Sequence, residues 1–357
     1  MARAVMARCA VFAAMLAISF ASAQQPAATG DEAALEEITV TAQRREESLQ
    51  KAAAAISVVT GEDIERSGVV EPENLNKLVP GVAIGIGGPS TQIYLRGVGS
   101  YGTNAFSDPA VQFTVDGIAY GRITGLGGNF FDLERVEVLK GPQGTLYGRN
   151  ATGGAINVIS KKPTQELGAG LTLEGGNYSL KKGNGFVNVP LGEQWALRFA
   201  AQVVERDGYQ TDGTNDDDSK AARLHLRYAP RDDLSLLLSG SIVSLGGKGF
   251  GQVPVRASGY VDNSNPWLGP QIAAPAALVA QAMANNQPPT LFTNGVSYAR
   301  GELDVEVTSV GAELNVAIGA PGTLTVLANH LRTENRSTSY GPGFLFAPDD
   351  EARQLTF

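Results

Sequence analysis

The chain has 357 residues, 43% of them hydrophobic, with 43 glycines and a net charge of −8. That length allows roughly one to three domains, and the acidic balance argues against nucleic-acid binding, which wants the opposite sign. So much glycine predicts many turns and few long helices.

The first 23 residues have the order of a secretory signal. Arg3 and Arg8 precede an apolar run from Cys9 to Phe20, and Ala21-Ser22-Ala23 offers a small-x-small cleavage site. The other reading, a membrane anchor, wants a longer apolar core. Cleavage would place the mature N-terminus at Gln24 and remove Cys9, the single cysteine, so no disulfide is expected. Beyond the signal no apolar run is long enough for a spanning helix, and any membrane residence must use strands.

Residues 24–37 (QQPAATGDEAALEE) are too poor in large apolar residues to fold and predict a disordered tail. Ile38, Thr39, Val40, Thr41 and Ala42 then form a short β-branched run inside that tail. It is either an ordinary first strand or a strand offered to the edge of another protein's sheet. From Leu49 to Pro163 the texture is mixed α/β. Thr60-Gly61-Glu62-Asp63 is a capping-box arrangement that starts a short helix. A second short helix is expected from about Pro72, stopped at Pro80-Gly81. Strands are predicted at Ile93–Arg96, Val111–Val115, Val136–Leu139 and Ala155–Ser160.

After Pro163 long alternating segments take over. Leu197, Phe199, Ala201 and Val203 fall on one face against Arg198, Ala200 and Gln202. The same holds for Ala222, Leu224, Leu226 and Tyr228 against Arg223, His225 and Arg227. Leu234, Leu236, Leu238 and Ile242 oppose Ser235, Ser239 and Ser241, and two further segments follow after residue 304. Period-two alternation over about ten residues, with tight turns between, predicts hairpins longer than those of most soluble proteins. With an export signal, this points to a transmembrane β-barrel, a soluble secreted β-sandwich being the alternative. The long proline-bearing stretch Gly246–Arg300 is expected to be an outside loop.

Motifs that carry chemistry are absent or bland. Gly97 to Gly102 matches G-x-G-x-x-G, but no apolar helix follows to hold a pyrophosphate, so it reads as a loop tip. Gly144 to Arg149 lacks the closing G-K-[ST] of a phosphate loop. His225 and His330 have no partners at metal-ligand spacing and are expected on the polar faces of strands. Thr211 to Asp218 lacks calcium-loop spacing. No nucleophile, metal or cofactor site emerges, and an enzyme is not expected.

Several spaced stretches, in one order, resemble a known family. They are Leu78-Val79-Pro80-Gly81-Val82, Ile93 to Gly97 (IYLRG), Val115-Asp116-Gly117, and Asp132 to Pro142 (DLERVEVLKGP). Leu146-Tyr147-Gly148 and Gly153 to Val158 (GGAINV) complete the series. Together they resemble the plug of TonB-dependent outer-membrane receptors, and Ile38 to Ala42 resembles the TonB box. The resemblance implies an α+β plug domain followed by an antiparallel transmembrane β-barrel. The implied layout is a signal peptide at 1–23, a tail with the TonB box at 24–48, a plug at 49–163 and barrel strands over 164–357. It further implies active transport of a scarce nutrient, often an iron-siderophore complex, across the outer membrane of a Gram-negative bacterium, with no chemistry done on the substrate. Implied partners are TonB with its inner-membrane energising complex, a small ligand such as a ferric siderophore, and outer-membrane lipid. A signalling transducer would need a folded domain before the box, for which residues 24–37 are too few. A secreted soluble β protein or adhesin is the remaining rival.

The same resemblance assigns residues. Ile38 to Ala42 would pair with TonB. Arg96 and Lys140 would face barrel-wall carboxylates, with Lys140 standing where the family has arginine and so losing the bidentate fork. Tyr101, Phe106, Tyr120 and Arg122 lie on expected plug loops and are candidates to line the ligand site. The glycines of Val136 to Pro163 would let the plug approach the wall closely. About eight strand candidates follow Pro163, against the twenty-two or so of such transporters. The chain is therefore expected to be a fragment, or a truncated product, of a longer receptor.

Overall fold

The computed structural model describes residues 39–41, 47–50, 52, 54–67, 72–87, 90–100, 108–121, 125–209, 213–249, 302–319, 322–337, 339–341, 344–346 and 350–356. The expected signal peptide and most of the tail lie outside these residues.

The N-terminal part is built on a five-stranded sheet. A two-residue pair, β1 (Thr39–Val40) and β2 (Glu47–Ser48), comes first. It is followed by β3 (Ile56–Thr60) and α1 (Gly61–Arg66), where the expected capping box is present. The Thr60 hydroxyl accepts from the Asp63 amide, and the Asp63 carboxylate accepts from the Thr60 amide. Residues Pro72–Lys77 form a 3-10 helix in place of the expected α-helical turn. Next come β4 (Val82–Gly87), β5 (Ser90–Leu95) and β6 (Val98–Gly99), which make a small antiparallel sheet of their own. The main sheet is completed by β7 (Val111–Val115), β8 (Ile118–Tyr120), β9 (Leu133–Lys140) and, after the short α2 (Gly144–Tyr147), β10 (Gly154–Ser160). Its order is β3-β9-β10-β7-β8, antiparallel except for the β10–β7 pair.

Alternation sorts this sheet into two faces. Val136 and Val138 of β9 point with Val111, Phe113, Ile156 and Val158 into the main core. Leu139 points the other way, with Ala155 and Val40, into a small second cluster.

The C-terminal part is one antiparallel sheet of eight strands. They are β11 (Gly168–Gly176), β12 (Leu180–Pro190), β13 (Trp195–Arg206), β14 (Asp217–Arg231), β15 (Leu234–Gly246), β16 (Val305–Ala317) and β17 (Thr323–Asn335). A short hairpin of β18 (Ser339–Gly341) and β19 (Phe344–Phe346) precedes the last strand, β20 (Asp350–Thr356). Among the described residues the sheet is open, with β11 and β20 at its edges.

Its polarity is inverted relative to the first sheet. On β13, Arg198 and Gln202 are buried, at 6% and 3% exposure, while Phe199 and Val203 are more than 40% exposed. Leu224, Leu238, Ile242 and Val310 are likewise exposed. An apolar outer face over a polar inner one is the arrangement a lipid-facing wall needs. His225 follows the expected pattern and points inward. His330 does not: it pairs with the outward Val310, while its neighbours Asn329 and Leu331 are the buried pair. The alternation of β17 passes through this histidine on the wrong count for a polar face. At one end of the sheet the turns are short throughout. The opposite end carries the longer connections 207–216 and 247–304, the latter mostly outside the described residues. Stacked Trp195 and Tyr228, 4.2 Å apart, mark the short-turn end, and Tyr178 with Tyr209 marks the other. Aromatic residues at both ends fit the two interfaces of a bilayer.

The glycine run between β9 and β10 packs differently from expectation. A Cβ at Gly154, where φ is +142°, would stand 2.2 Å from the Leu139 carbonyl oxygen and 2.6 Å from a Leu95 methyl. This glycine closes the N-terminal domain on itself rather than on the wall. The close approaches to the wall come from another loop. A Cβ at Gly125 or Gly128 would meet Val307 at 2.6 Å or Val243 at 2.3 Å.

Candidate functional site at the interface of the two sheets

The inner face of the eight-stranded sheet holds the N-terminal domain through a few polar contacts, each set by strand alternation. Arg198 of β13 grips Asp132 with two hydrogen bonds, Nε to Oδ2 at 2.7 Å and Nη2 to Oδ1 at 2.5 Å, with both side chains 7% exposed. The fork geometry matches a carboxylate. Phe186 lies under the guanidinium at 4.1 Å. One strand over, Arg223 of β14 donates to the Phe131 carbonyl at 3.2 Å and covers the Phe131 ring.

Two residues along the same strand, His225 joins a four-member chain. The Ser160 hydroxyl donates to Asp116 Oδ2 at 2.7 Å and so accepts from His225 Nε2 at 2.9 Å. The other ring nitrogen, Nδ1, pairs with the Ser239 hydroxyl, also 2.9 Å away. Asp116 accepts the Ser160 amide as well. Burial alone would raise the Asp116 carboxyl. The charges of Arg223 and His225 and the two Ser160 hydrogen bonds outweigh it, holding the group below the usual carboxylate range. Here the aspartate faces serine and not the imidazole, so the chain lacks the order of a nucleophilic triad. Beside it lies a cavity of about 30 Å³ lined by Asp116, Arg223, Ser241, Ser309 and Asn329, large enough for a water molecule.

The basic residues expected to face the wall are placed differently. Lys140 donates from Nζ to Ser57 Oγ at 2.8 Å, inside its own domain. Partial burial and the charge of Arg96 hold its ammonium below the ordinary value. Arg96 sits at φ +50° with an exposed side chain. Among the described residues neither meets a carboxylate of the wall. The described charge pairs across the interface mostly run in the opposite sense, with basic wall and acidic or carbonyl partners; Lys162 with Glu313 is the exception. Of the ligand candidates, Tyr101, Phe106 and Arg122 lie outside the described residues. Tyr120 is not on a loop. It belongs to β8, is 2% exposed, and packs edge-on against Phe113 with its hydroxyl on Asn129. Burial pushes its phenol up to about 12. It is a core residue and leaves the ligand set.

At the N-terminal end, Ile38 and Ala42 lie outside the described residues, while Thr39, Val40 and Thr41 are in place. Val40 is fully buried against Leu139 and Ala155. The Thr41 amide donates to Glu137 Oε1 at 2.8 Å, and its hydroxyl to the same carboxylate at 3.2 Å. Residue Glu137 was not singled out by the sequence. Its signal was there: in Leu133–Lys140 it shares the Leu139 face, so a charge falls where alternation wants an apolar residue.

Residues 48–155 match the family described as the TonB-dependent Receptor Plug Domain. This segment is a TonB-dependent receptor plug. The chain is 31% identical over 222 residues to the iron-regulated outer membrane virulence protein of Vibrio cholerae, covering 58% of this chain and 33% of that protein. It is 30% identical over 181 residues to the vitamin B12 transporter BtuB of Vibrio vulnificus, covering 48% and 28%. The chain thus spans about a third of the length of these relatives. The fold is similar to that of the ferric yersiniabactin uptake receptor FyuA of Yersinia pestis, with a TM-score of 0.61 at 19% identity, covering 80% of this chain and 42% of that one. It also resembles the ferripyoverdine receptor of Pseudomonas aeruginosa, with a TM-score of 0.63 at 19% identity, covering 89% and 40%. The plug with its adjoining antiparallel strands is the architecture that these receptors share.

Proposed function

We propose that this chain is the plug-bearing part of an active transporter in the outer membrane of a Gram-negative bacterium, moving a scarce nutrient inward. The single observation that carries the reading is a plug held by Arg198, Arg223 and His225 against the polar face of a strand wall whose other face is apolar. The proposed layout follows the sequence: signal peptide to residue 23, tail to 48, plug from 49 to 163, wall from 164. A ferric siderophore is the favoured ligand, because a relative is named for iron regulation and structural neighbours for ferric siderophore uptake. Cobalamin is the second candidate, on the name of another relative. Tyr101, Phe106 and Arg122 stay as proposed ligand contacts. Arg96 and Lys140 stay as proposed partners of wall carboxylates, on strands other than β11 to β17.

TonB, energised at the inner membrane, would take Ile38 to Ala42 as an added strand, main-chain hydrogen bonds supplying the affinity. Val40→Pro in the receptor removes an amide donor from that strand. It is expected to abolish energy-dependent uptake of radiolabelled ferric siderophore and to leave binding to de-energised cells intact. Uptake at the unmodified rate would refute the assignment. Uptake of labelled cobalamin in its place would move the ligand and keep the mechanism.

A further inference from the structure

The contact between Glu137 and the tail segment has the features of a built site. Glu137 is fully buried, and a buried carboxylate persists only when its oxygens are satisfied. Two of its donors come from the plug. Arg135 gives Nε at 2.9 Å, and Asn157, directly across on β10, gives Nδ2 at 3.4 Å. The other two come from Thr41, 96 residues away in sequence. Arg135 also reaches the Thr41 hydroxyl at 3.4 Å. The carboxylate is fixed in orientation, because Asn157 is itself held by the Thr114 hydroxyl at 2.8 Å and donates to the Tyr147 hydroxyl at 2.6 Å. Beside this polar end lies an apolar slot of Leu139, Ala155, Ile56, Val58 and Tyr147, which Val40 fills.

We propose that Glu137 is the latch that keeps the Thr39–Thr41 strand docked on the plug and so sets how often that strand is free to pair with a partner. This rests on the reading of the segment as the TonB-pairing strand. The physical logic is competition. While docked, the strand has its Thr41 amide on Glu137, its Val40 side chain in the slot, and one edge on β2. An added strand needs main-chain groups of the same three residues. Once the segment leaves, water can replace Thr41 at the carboxylate through the vacated slot, so opening is reversible and need not unfold the sheet. Glu137 acts here as a positioning residue; it makes no contact with transported ligand.

The test reads undocking directly. Val40→Cys places a thiol that a membrane-impermeant maleimide reaches only when the segment leaves its slot. Val138→Cys, buried on the opposite face of β9, reports opening of the plug itself. Both are measured on the receptor in outer-membrane preparations without TonB. Glu137→Ala is expected to raise labelling at Val40→Cys by at least about tenfold, because it removes both charge-assisted hydrogen bonds from Thr41, with Val138→Cys unchanged. Thr41→Val, which keeps the amide and alters only the tail, is expected to raise it several-fold. Unchanged labelling in both variants would overturn the proposal. If Glu137→Ala exposes both thiols equally, Thr41→Val decides: a rise supports the latch, and no rise overturns it. Because TonB is absent, failure of the TonB pairing itself would leave this result standing.

Discussion

The two sheets of this molecule use one alternation for opposite ends. In the plug, β7, β9 and β10 place valine, isoleucine and phenylalanine inward, and Phe113, Val136 and Ile156 reach zero exposure. In the wall, arginine, glutamine and serine point inward beside a few valines such as Val243 and Val307, while Phe199, Leu224, Leu238 and Ile242 look out. The period is the same; only the solvent on the far side differs. What a buried position means therefore depends on which sheet it sits in. In the plug it is a packing site. In the wall it is a seat for the plug, polar at Arg198, Arg223 and His225 and apolar at Val243 and Val307.

The largest effects should fall where each rule is strictest. Phe113→Ala removes a fully buried ring and is expected to cost about 3–5 kcal/mol of plug stability, read as faster hydrogen exchange at the Ile156 amide. The same truncation at the outward Phe199 should leave that exchange unchanged. Arg198→Ala strands the buried Asp132 carboxylate, and breaking such a pair costs about 3–5 kcal/mol. Its signature differs: the plug stays folded but leaves the wall, seen as loss of a crosslink between Cys residues placed at Gly128 and Val243. Leu238→Arg, on the lipid side, should lower membrane-inserted stability by about 2–4 kcal/mol, measured by urea unfolding in bilayers, without moving plug exchange.

A smaller effect comes from Tyr120. Its phenol is pushed up to about 12 in the fold, against about 10 in an unfolded chain. The folded pKa is raised, so the contribution is full below pH 10 and is lost as pH rises toward 12. Two units correspond to roughly 2–3 kcal/mol. Tyr120→Phe should flatten this alkaline limb of plug stability while lowering the neutral plateau slightly, through loss of the Asn129 hydrogen bond.

Much of the wall was legible in the sequence because period-two alternation is a local property. Arg198, Ala200 and Gln202 fell on the predicted face, and so did Ser239 and Ser241. His330 failed because the polar inner face of β17 runs through Thr325, Asn329 and Thr333, and His330 lies on the other parity, where Arg332 and Glu334 mask the apolar count of Leu324, Val326 and Ala328. In the plug, the strands at Val111–Val115 and Ala155–Ser160 were found, and the capping box at Thr60 was met atom for atom. The contacts that seat the plug were not legible. Asp132 looked like one more residue of a strand entry, and nothing in its neighbourhood names Arg198, 66 residues on. The candidates Arg96 and Lys140 were drawn from resemblance, and among the described residues they do not touch the wall. Tyr120 was misplaced because a strand of three residues is too short to show a period, so it read as loop. Glu137 was passed over although its charge breaks the apolar count of its face, because its distant partner, Thr41, lies 96 residues away and nothing local names it.

The order of strands also bears on how the molecule comes together. From β11 to β17 every neighbour in the sheet is the next strand in the chain, so each pairing closes a hairpin and the wall can grow by successive addition. The plug cannot. Its β3 must find β9 across about eighty intervening residues, and β10 runs parallel to β7 with two strands between them in sequence. Closing loops of that length costs entropy before any contact repays it, and folding rates fall accordingly. The slow step of assembly should thus belong to the smaller domain, and the wall, whose inner face carries the arginines, can be standing before the plug has found its own register.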